Sequence, residues 1–220
     1  CLPLEQGIHT TGPVDCKGAV EDILARIEKA VSKALALNAL PVILGGEHTV
    51  TLGALRALKK ASSKAFGIVQ VDAHADLRDT YEENPLSHAC VMRRATQDLG
   101  IPLVQLGVRA LCREEDHYRR EKNITFFDAR QLHLQGIPDE LLPPDFPDDI
   151  YITLDVDGLD PSVIRATGTP VPGGLGWQDT LTLLEATEKF LLNSIETRRS
   201  LGQSHGPVQD DQAAVFKLPP

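Results

Sequence analysis

Cysteine pairing is the first thing this sequence lacks. Its four cysteines, Cys1, Cys16, Cys90 and Cys112, form no CxxC pair. That leaves no basis for a zinc knuckle or a disulfide framework, and a reducing cytoplasm is the expected compartment. Long apolar runs are missing too. None approaches the roughly 18 residues of a membrane span, and no basic-then-apolar leader opens the chain, so neither a transmembrane helix nor a signal peptide is expected. Positive charge is in short supply: 22 Lys and Arg face 31 Asp and Glu, a net charge of −9. This speaks against nucleic acid or an anionic membrane as partner and favours cationic ligands. Methionine occurs once, at Met92, and the chain opens on Cys1, so a processed start or a fragment is expected. The single tryptophan, Trp177, is expected to pack, as are Cys90 and Cys112 if they are not surface residues. There is no internal repeat.

What is present is a regular alternation. At 220 residues the chain suffices for one sizeable α/β core. AVEDILARIEKAVSKALAL, residues 19–37, places Val20, Ile23, Leu24, Ile27, Ala30, Val31 and Ala34 at helical spacing. LPVILGG then reads as a strand ending on the glycine pair at 45 and 46, and TVTLGALRALKK as a helix. FGIVQVD is the next strand. LSHACVMRRATQDLG reads as a helix stopped by Gly100. PLVQLGV, NITFFD and DIYITLDVD supply three more short apolar runs. Such an order implies a parallel sheet covered on both faces. The proline-rich stretch 137–149 reads as a surface loop within one domain. From about Glu188 the pattern fails, with no closing strand in view, and the last ~20 residues are expected to be poorly ordered.

Three strand ends carry clusters of polar groups: Glu47 and His48 in GGEHT; Asp72, His74, Asp76 and Asp79 in VDAHADLRD; and Asp155, Asp157 and Asp160 in TLDVDGLDP. In a parallel sheet all three face the same carboxyl edge, where open α/β folds place their ligands. If the second stretch stays extended, alternation puts Asp72, His74 and Asp76 on one side; Asp155 and Asp157 are related in the same way. Taken singly, each is equally well a solvated turn or, for His48, a helix start. Taken together, carboxylates and imidazoles at one sheet edge cannot remain as bare charge without a large desolvation and repulsion cost. Two divalent cations would neutralise them. A thiolate-free, carboxylate-rich set with two histidines suits Mn²⁺ better than zinc, copper or Mg²⁺.

GGEHT, VDAHADLRD with the downstream SHA, and TLDVDGLDPSVIRATGTPVPGGL together resemble the ureohydrolases, the arginase and agmatinase family, over residues 13 to 187. The resemblance implies a three-layer α/β/α sandwich with a mainly parallel sheet, of the arginase/deacetylase type, and two Mn²⁺ per chain. By that resemblance His48, Asp76, Asp72 and Asp155 hold one metal. His74 and Asp157 hold the other, with Asp72 and Asp155 shared. It also assigns His88, in LSHAC, as the proton shuttle to the leaving amine; read alone, His88 is a helix-start surface histidine. The implied chemistry is attack on a guanidinium carbon, a poor electrophile, by water whose pKa two metals lower. The implied substrate is a small cationic guanidino compound. The loop LRDTYEENPLSHACVMRR lacks the asparagine-rich pattern of arginases, and Asp79, Glu82 and Glu83 suit a substrate without a carboxylate. Agmatine, split to putrescine and urea, is therefore the first expectation. Arginine, guanidinobutyrate and formiminoglutamate are the alternatives.

Two departures from the family pattern accompany the match. GGEH falls early, at 45–48, and nothing after 187 supplies the E-x-(N/S)-P strand whose glutamate binds guanidinium; Glu196 has the wrong surroundings. The expected organisation is a ureohydrolase domain over 1–187, shortened at its start, and a divergent, partly disordered tail over 188–220. A catalytically inactive metal-binding member is the competing reading. The family's trimers and hexamers are in doubt for such a chain.

Overall fold

The two sides of a central strand settle the layering. Strand β3 (Phe66–Val71) is buried at every position, as a strand covered on both faces must be. Phe66 and Ile68 share one apolar cluster with Leu24, Leu52, Leu55, Met92 and Tyr118. Val69 and Val71, which alternation turns the other way, share another with Leu132, Leu141, Leu175 and Leu183. Helices thus cover both faces, giving the expected α/β/α layering.

The computed structural model describes residues 7–187 and the backbone of 213–217. In chain order the elements are β1 (Ile8–Thr10), α1 (Val20–Ala36), β2 (Val42–Leu44), α2 (Val50–Ala61), β3, α3 (Val91–Gln97), β4 (Leu103–Leu106), α4 (Arg113–Glu121), β5 (Thr125–Phe127), α5 (Ala129–Gln135), β6 (Asp149–Leu154) and β7 (Ala213–Lys217). Short 3₁₀ turns occupy His88–Cys90 and Val156–Gly158, and residues 177–187 are helical. Every described ladder is parallel: β5-β4-β3-β6 form one sheet and β1-β7-β2 another. No helix among the described residues is long and apolar enough to cross a membrane.

Several expectations need correction. The tail does supply a strand: β7 lies between β1 and β2, although its segment, AAVFK, is too short and too isolated to stand out by periodicity. The rest of the 188–220 tail, including Glu196, lies outside the described residues. Trp177 is not a packing residue; it opens the helical segment with 54% of its surface exposed. The LSHACVMRRATQDLG segment is helical only in part, with the 3₁₀ turn preceding α3 and Gly100 taking a left-handed φ of 62° beyond it. The loop 137–149 is anchored within the domain, because Leu141 is buried and Phe146 packs against the same cluster.

Candidate metal centre

Each side chain of the site is aimed by backbone that has its own reason to be there. β3 ends at Val71, and the chain then turns. Asp76 takes a left-handed φ of 52°, so the segment does not stay extended as simple alternation assumed. The turn is held because the Asp76 carbonyl accepts the Met92 and Arg93 amides at 3.0 and 3.1 Å, satisfying the start of α3. The next residue, Leu77, donates its amide to buried Glu115 at 3.1 Å, and Glu115 caps α4 by accepting the Cys112 amide at 2.7 Å. On β6 the ladder runs one residue past the strand, with the Asp155 amide donating to the Val71 carbonyl at 2.9 Å. Gly158 then passes so close to Asp72 that a Cβ would stand 3.0 Å from its backbone nitrogen, which leaves no room for a side chain.

These anchors bring two donor groups together: His48, Asp72 and Asp76 form one, and Asp72, His74 and Asp157 the other. Asp72 belongs to both. Its Oδ2 lies 3.0 Å from His48 Nδ1, and its Oδ1 lies 3.5 Å from His74 Nδ1. Asp76 Oδ2 stands 2.8 Å from His48 Nδ1, and Asp157 Oδ2 3.1 Å from His74 Nδ1. Asp155 lies beside these groups rather than in either, with its Oδ2 3.9 Å from His48 Nδ1 and its Oδ1 accepting the Asp157 amide at 3.0 Å. Asp160, from the same motif, turns away: it accepts the Ser162, Gly173 and Gly174 amides. Those bonds hold its carboxyl well below the usual carboxylate range.

The charges of the cluster respond to this crowding. Hydrogen bonds to Asp157 and Asp72 raise His74 to about 10. Burial works against protonated His48, yet its bonds to Asp72 and Asp76 outweigh burial and hold it well above its ordinary value. Burial also works against ionised Asp72, but the two imidazoles reverse that and keep it low. Asp76 is pushed up to about 6, by its burial and by Asp72 beside it. Burial and Asp72 raise Asp155 as well. The protein without metal therefore holds protons where the donor geometry suits cations. The donors, imidazole nitrogen and carboxylate oxygen with one carboxylate common to both groups, are of the kind that holds divalent metal ions.

Residues that the sequence reading passed over support this set. Thr153 Oγ1 lies 2.9 Å from His48 Nε2; it sits two places before Asp155, so strand alternation pointed to it. Thr169 donates to Asp157 Oδ2 at 2.7 Å, from within the TGTPVPGG stretch. Arg109 donates only to backbone carbonyls, among them Asp157 at 2.6 Å and Val171 at 2.8 Å; nothing in its flanking sequence marks it. His88 begins the 3₁₀ turn, half exposed, with Nδ1 3.2 Å from Glu47 Oε2 and its ring edge-on to Tyr81 at 5.7 Å. Glu47 precedes His48, so His88 is linked to the cluster through its neighbour. Asp79, by contrast, is engaged by Arg94 and Arg93, which removes it from the acidic groups free to meet a cationic substrate.

A model of the arginase family matches residues 3–197. The chain belongs to the arginase family. It is 43% identical over 162 residues, 73% of its length, to an N(1)-aminopropylagmatine ureohydrolase of Synechocystis sp., and covers 50% of that relative. It is 34% identical over 183 residues to an agmatinase of Pyrococcus horikoshii, covering 82% of this chain and 62% of that one. Among solved structures it resembles the agmatine ureohydrolase of Thermoplasma volcanium, with a TM-score of 0.68 at 29% identity, covering 92% of this chain and 61% of the other. The chain thus spans between half and two thirds of the length of these arginase-family relatives.

Proposed function

We propose that this arginase-family chain carries a binuclear manganese centre for hydrolysing a guanidinium carbon–nitrogen bond, releasing urea from agmatine or its N(1)-aminopropyl derivative. The observation that carries the reading is the placement of Asp72, one carboxylate oxygen toward each imidazole, with Asp76 and Asp157 completing the two groups. His48, Asp76 and Asp72 would hold one ion and His74, Asp157 and Asp72 the other, with Asp155, beside His48 and the Asp157 amide, as the second carboxylate they would share. Two divalent ions held by these residues would lower the pKa of water toward neutrality and would compensate the buried carboxylates. The chain's own residues do the rest. Thr169 and the Ala73 amide, at 2.7 and 3.1 Å, fix the two oxygens of Asp157. His88, held by Glu47, is the group we assign to carry a proton to the departing amine.

The names of the two relatives and of the solved structure support a guanidino substrate with an aliphatic amine in place of the amino-acid end. Exposed Glu82 and Glu83 and the net charge of −9 favour such a polycation. We take the ligand to be this small cation, not nucleic acid or a membrane, in a cytoplasmic setting that suits the free Cys16, Cys90 and Cys112.

The test is urea release from agmatine, N(1)-aminopropylagmatine and arginine after incubation with Mn²⁺, with bound metal counted per chain. Turnover of either agmatine compound, abolished in Asp157→Ala, is the expected result. Urea release that survives Asp157→Ala refutes the proposal. The competing reading is a metal-binding member of the family without turnover. Two metals bound and no urea from any of the three substrates is its signature.

A further inference from the structure

The larger sheet buries two side-chain amides between strands that are otherwise apolar. Gln70 on β3 and Gln105 on β4 are register partners, and neither has any exposed surface. Buried amides are costly unless their groups are paired, so their partners are informative. Gln105 Nε2 donates to the Ala75 carbonyl at 2.8 Å and to Gln70 Oε1 at 2.7 Å. Gln70 Nε2 donates in turn to Asp72 Oδ2 at 2.8 Å and to the His74 carbonyl at 3.3 Å.

The direction of this chain is forced from both ends. A backbone carbonyl can only accept, so Gln105 must turn its NH₂ toward Ala75, and the same NH₂ then meets Gln70 Oε1. An ionised carboxylate can only accept, so Gln70 must turn its NH₂ toward Asp72. The oxygen it reaches, Oδ2, is the one facing His48, while Oδ1 accepts the His74 amide at 2.7 Å. Each oxygen of Asp72 is therefore held by one N–H and directed toward one imidazole. Among the described residues Gln105 Oε1 is left buried with no hydrogen-bond partner. An apolar pair at these positions would spare that orphaned acceptor but would leave Asp72 Oδ2 without the N–H that holds it.

We propose that Gln70 and Gln105 are positioning residues of the metal centre, a two-amide relay that fixes the plane of the shared carboxylate Asp72 so that it presents one oxygen to each donor group. Neither amide touches ion or substrate; both act through Asp72. The inference rests on the reading of Asp72 as a shared metal ligand.

The test titrates Co²⁺ alone into the metal-free 220-residue protein, following visible absorbance and bound metal per chain, beside the melting temperature without metal. The variants are Gln105→Met, Gln70→Met and the double substitution. Methionine keeps the volume and removes the amide. Each is expected to weaken Co²⁺ binding by about 10- to 100-fold and to change the absorbance, as loss of a partner behind a metal ligand does. The double variant leaves Gln70 Oε1 and Gln105 Oε1 out altogether but still strips the Ala75 carbonyl of its donor; it is expected to melt somewhat below the wild type and to bind weakly. Wild-type affinity and spectrum in the double variant overturn the relay and leave the pair a structural feature. If the double variant does not fold, Gln105→Met decides alone: a lowered melting temperature with unchanged Co²⁺ affinity overturns it. Wild-type protein that takes up no Co²⁺ overturns the metal-centre reading, and the relay with it.

Discussion

His48 Nε2 lies 2.9 Å from Thr153 Oγ1, and this contact leaves Nδ1 as the nitrogen turned toward Asp72 and Asp76. Thr51 Oγ1 stands 3.3 Å from the same Thr153 hydroxyl, so the imidazole is tied to both β6 and α2. A metal-binding imidazole needs its other nitrogen occupied, because that bond selects the tautomer and stops the ring from turning.

Thr153→Val keeps the shape and removes the hydroxyl. Mn²⁺ affinity, measured by calorimetry, is expected to fall by about 10- to 100-fold, with urea release recovering when Mn²⁺ is raised to saturation. An unchanged Mn²⁺ affinity excludes a role for Thr153 in orienting His48.

Metal uptake is expected to release protons and to strengthen as pH rises. His74, raised to about 10 by Asp157 and Asp72, is protonated at neutral pH in the metal-free protein, and a cation must displace that proton. The sign follows for stability. A raised histidine contributes stability that is fully present below the ordinary value near 6.5 and is lost as pH climbs through about 10. Asp76, raised to about 6, adds a loss between its ordinary value near 3.8 and about 6. Melting curves from pH 4 to 10 are therefore expected to show a metal-free protein that weakens with pH and a Mn²⁺-dependent gain that grows with it. A gain independent of pH, with no protons released, contradicts the protonated cluster.

Arg109 makes a different demand. Its guanidinium donates to the carbonyls of Gly107, Asp157, Gly158, Leu159 and Val171, and a single ammonium cannot reach them all. Arg109→Met is expected to cost about 3 kcal/mol or more through unpaired carbonyls, a drop on the order of 10 °C in melting temperature. Bound metal should fall too, since Asp157 is anchored by that clamp. A variant that melts like the wild type shows that the 157–171 segment is held by something else.

The sequence made the sheet edge legible and the support beneath it much less so. The first helix, expected over 19–37, runs Val20–Ala36, because its apolar spacing matches the side it buries. Two of the three polar clusters leave the ends of β3 and β6, neighbours in one parallel sheet, while His48 reaches them from the turn before α2, after β2 of the other sheet. What stayed hidden depends on pairing between distant strands. Gln70 and Gln105 sit inside apolar runs 35 residues apart, and only their register makes them partners. Gln70 did carry one signal, since it lies two residues before Asp72 and strand alternation puts both on one side. The left-handed turn at Asp76 was invisible, because it is imposed by the start of α3 and not by the residue itself. β7 depends on long-range pairing with β1 and β2, for which a five-residue segment carries no periodic signal.

His88 separates the catalytic reading from the metal-binding one. Its side chain is 48% exposed, so His88→Asn is expected to leave melting temperature and bound Mn²⁺ nearly unchanged. If it shuttles the proton to the departing amine, kcat falls by about 10²- to 10⁴-fold, with added imidazole restoring part of the rate. Glu47→Gln removes the carboxylate 3.2 Å from His88 Nδ1; it is expected to lower kcat less, because it orients the ring without carrying the proton. Should His88→Asn keep full kcat while Glu47→Gln does not, the proton passes through the carboxylate, and His88 is the surface histidine at the start of a turn that it resembles in isolation.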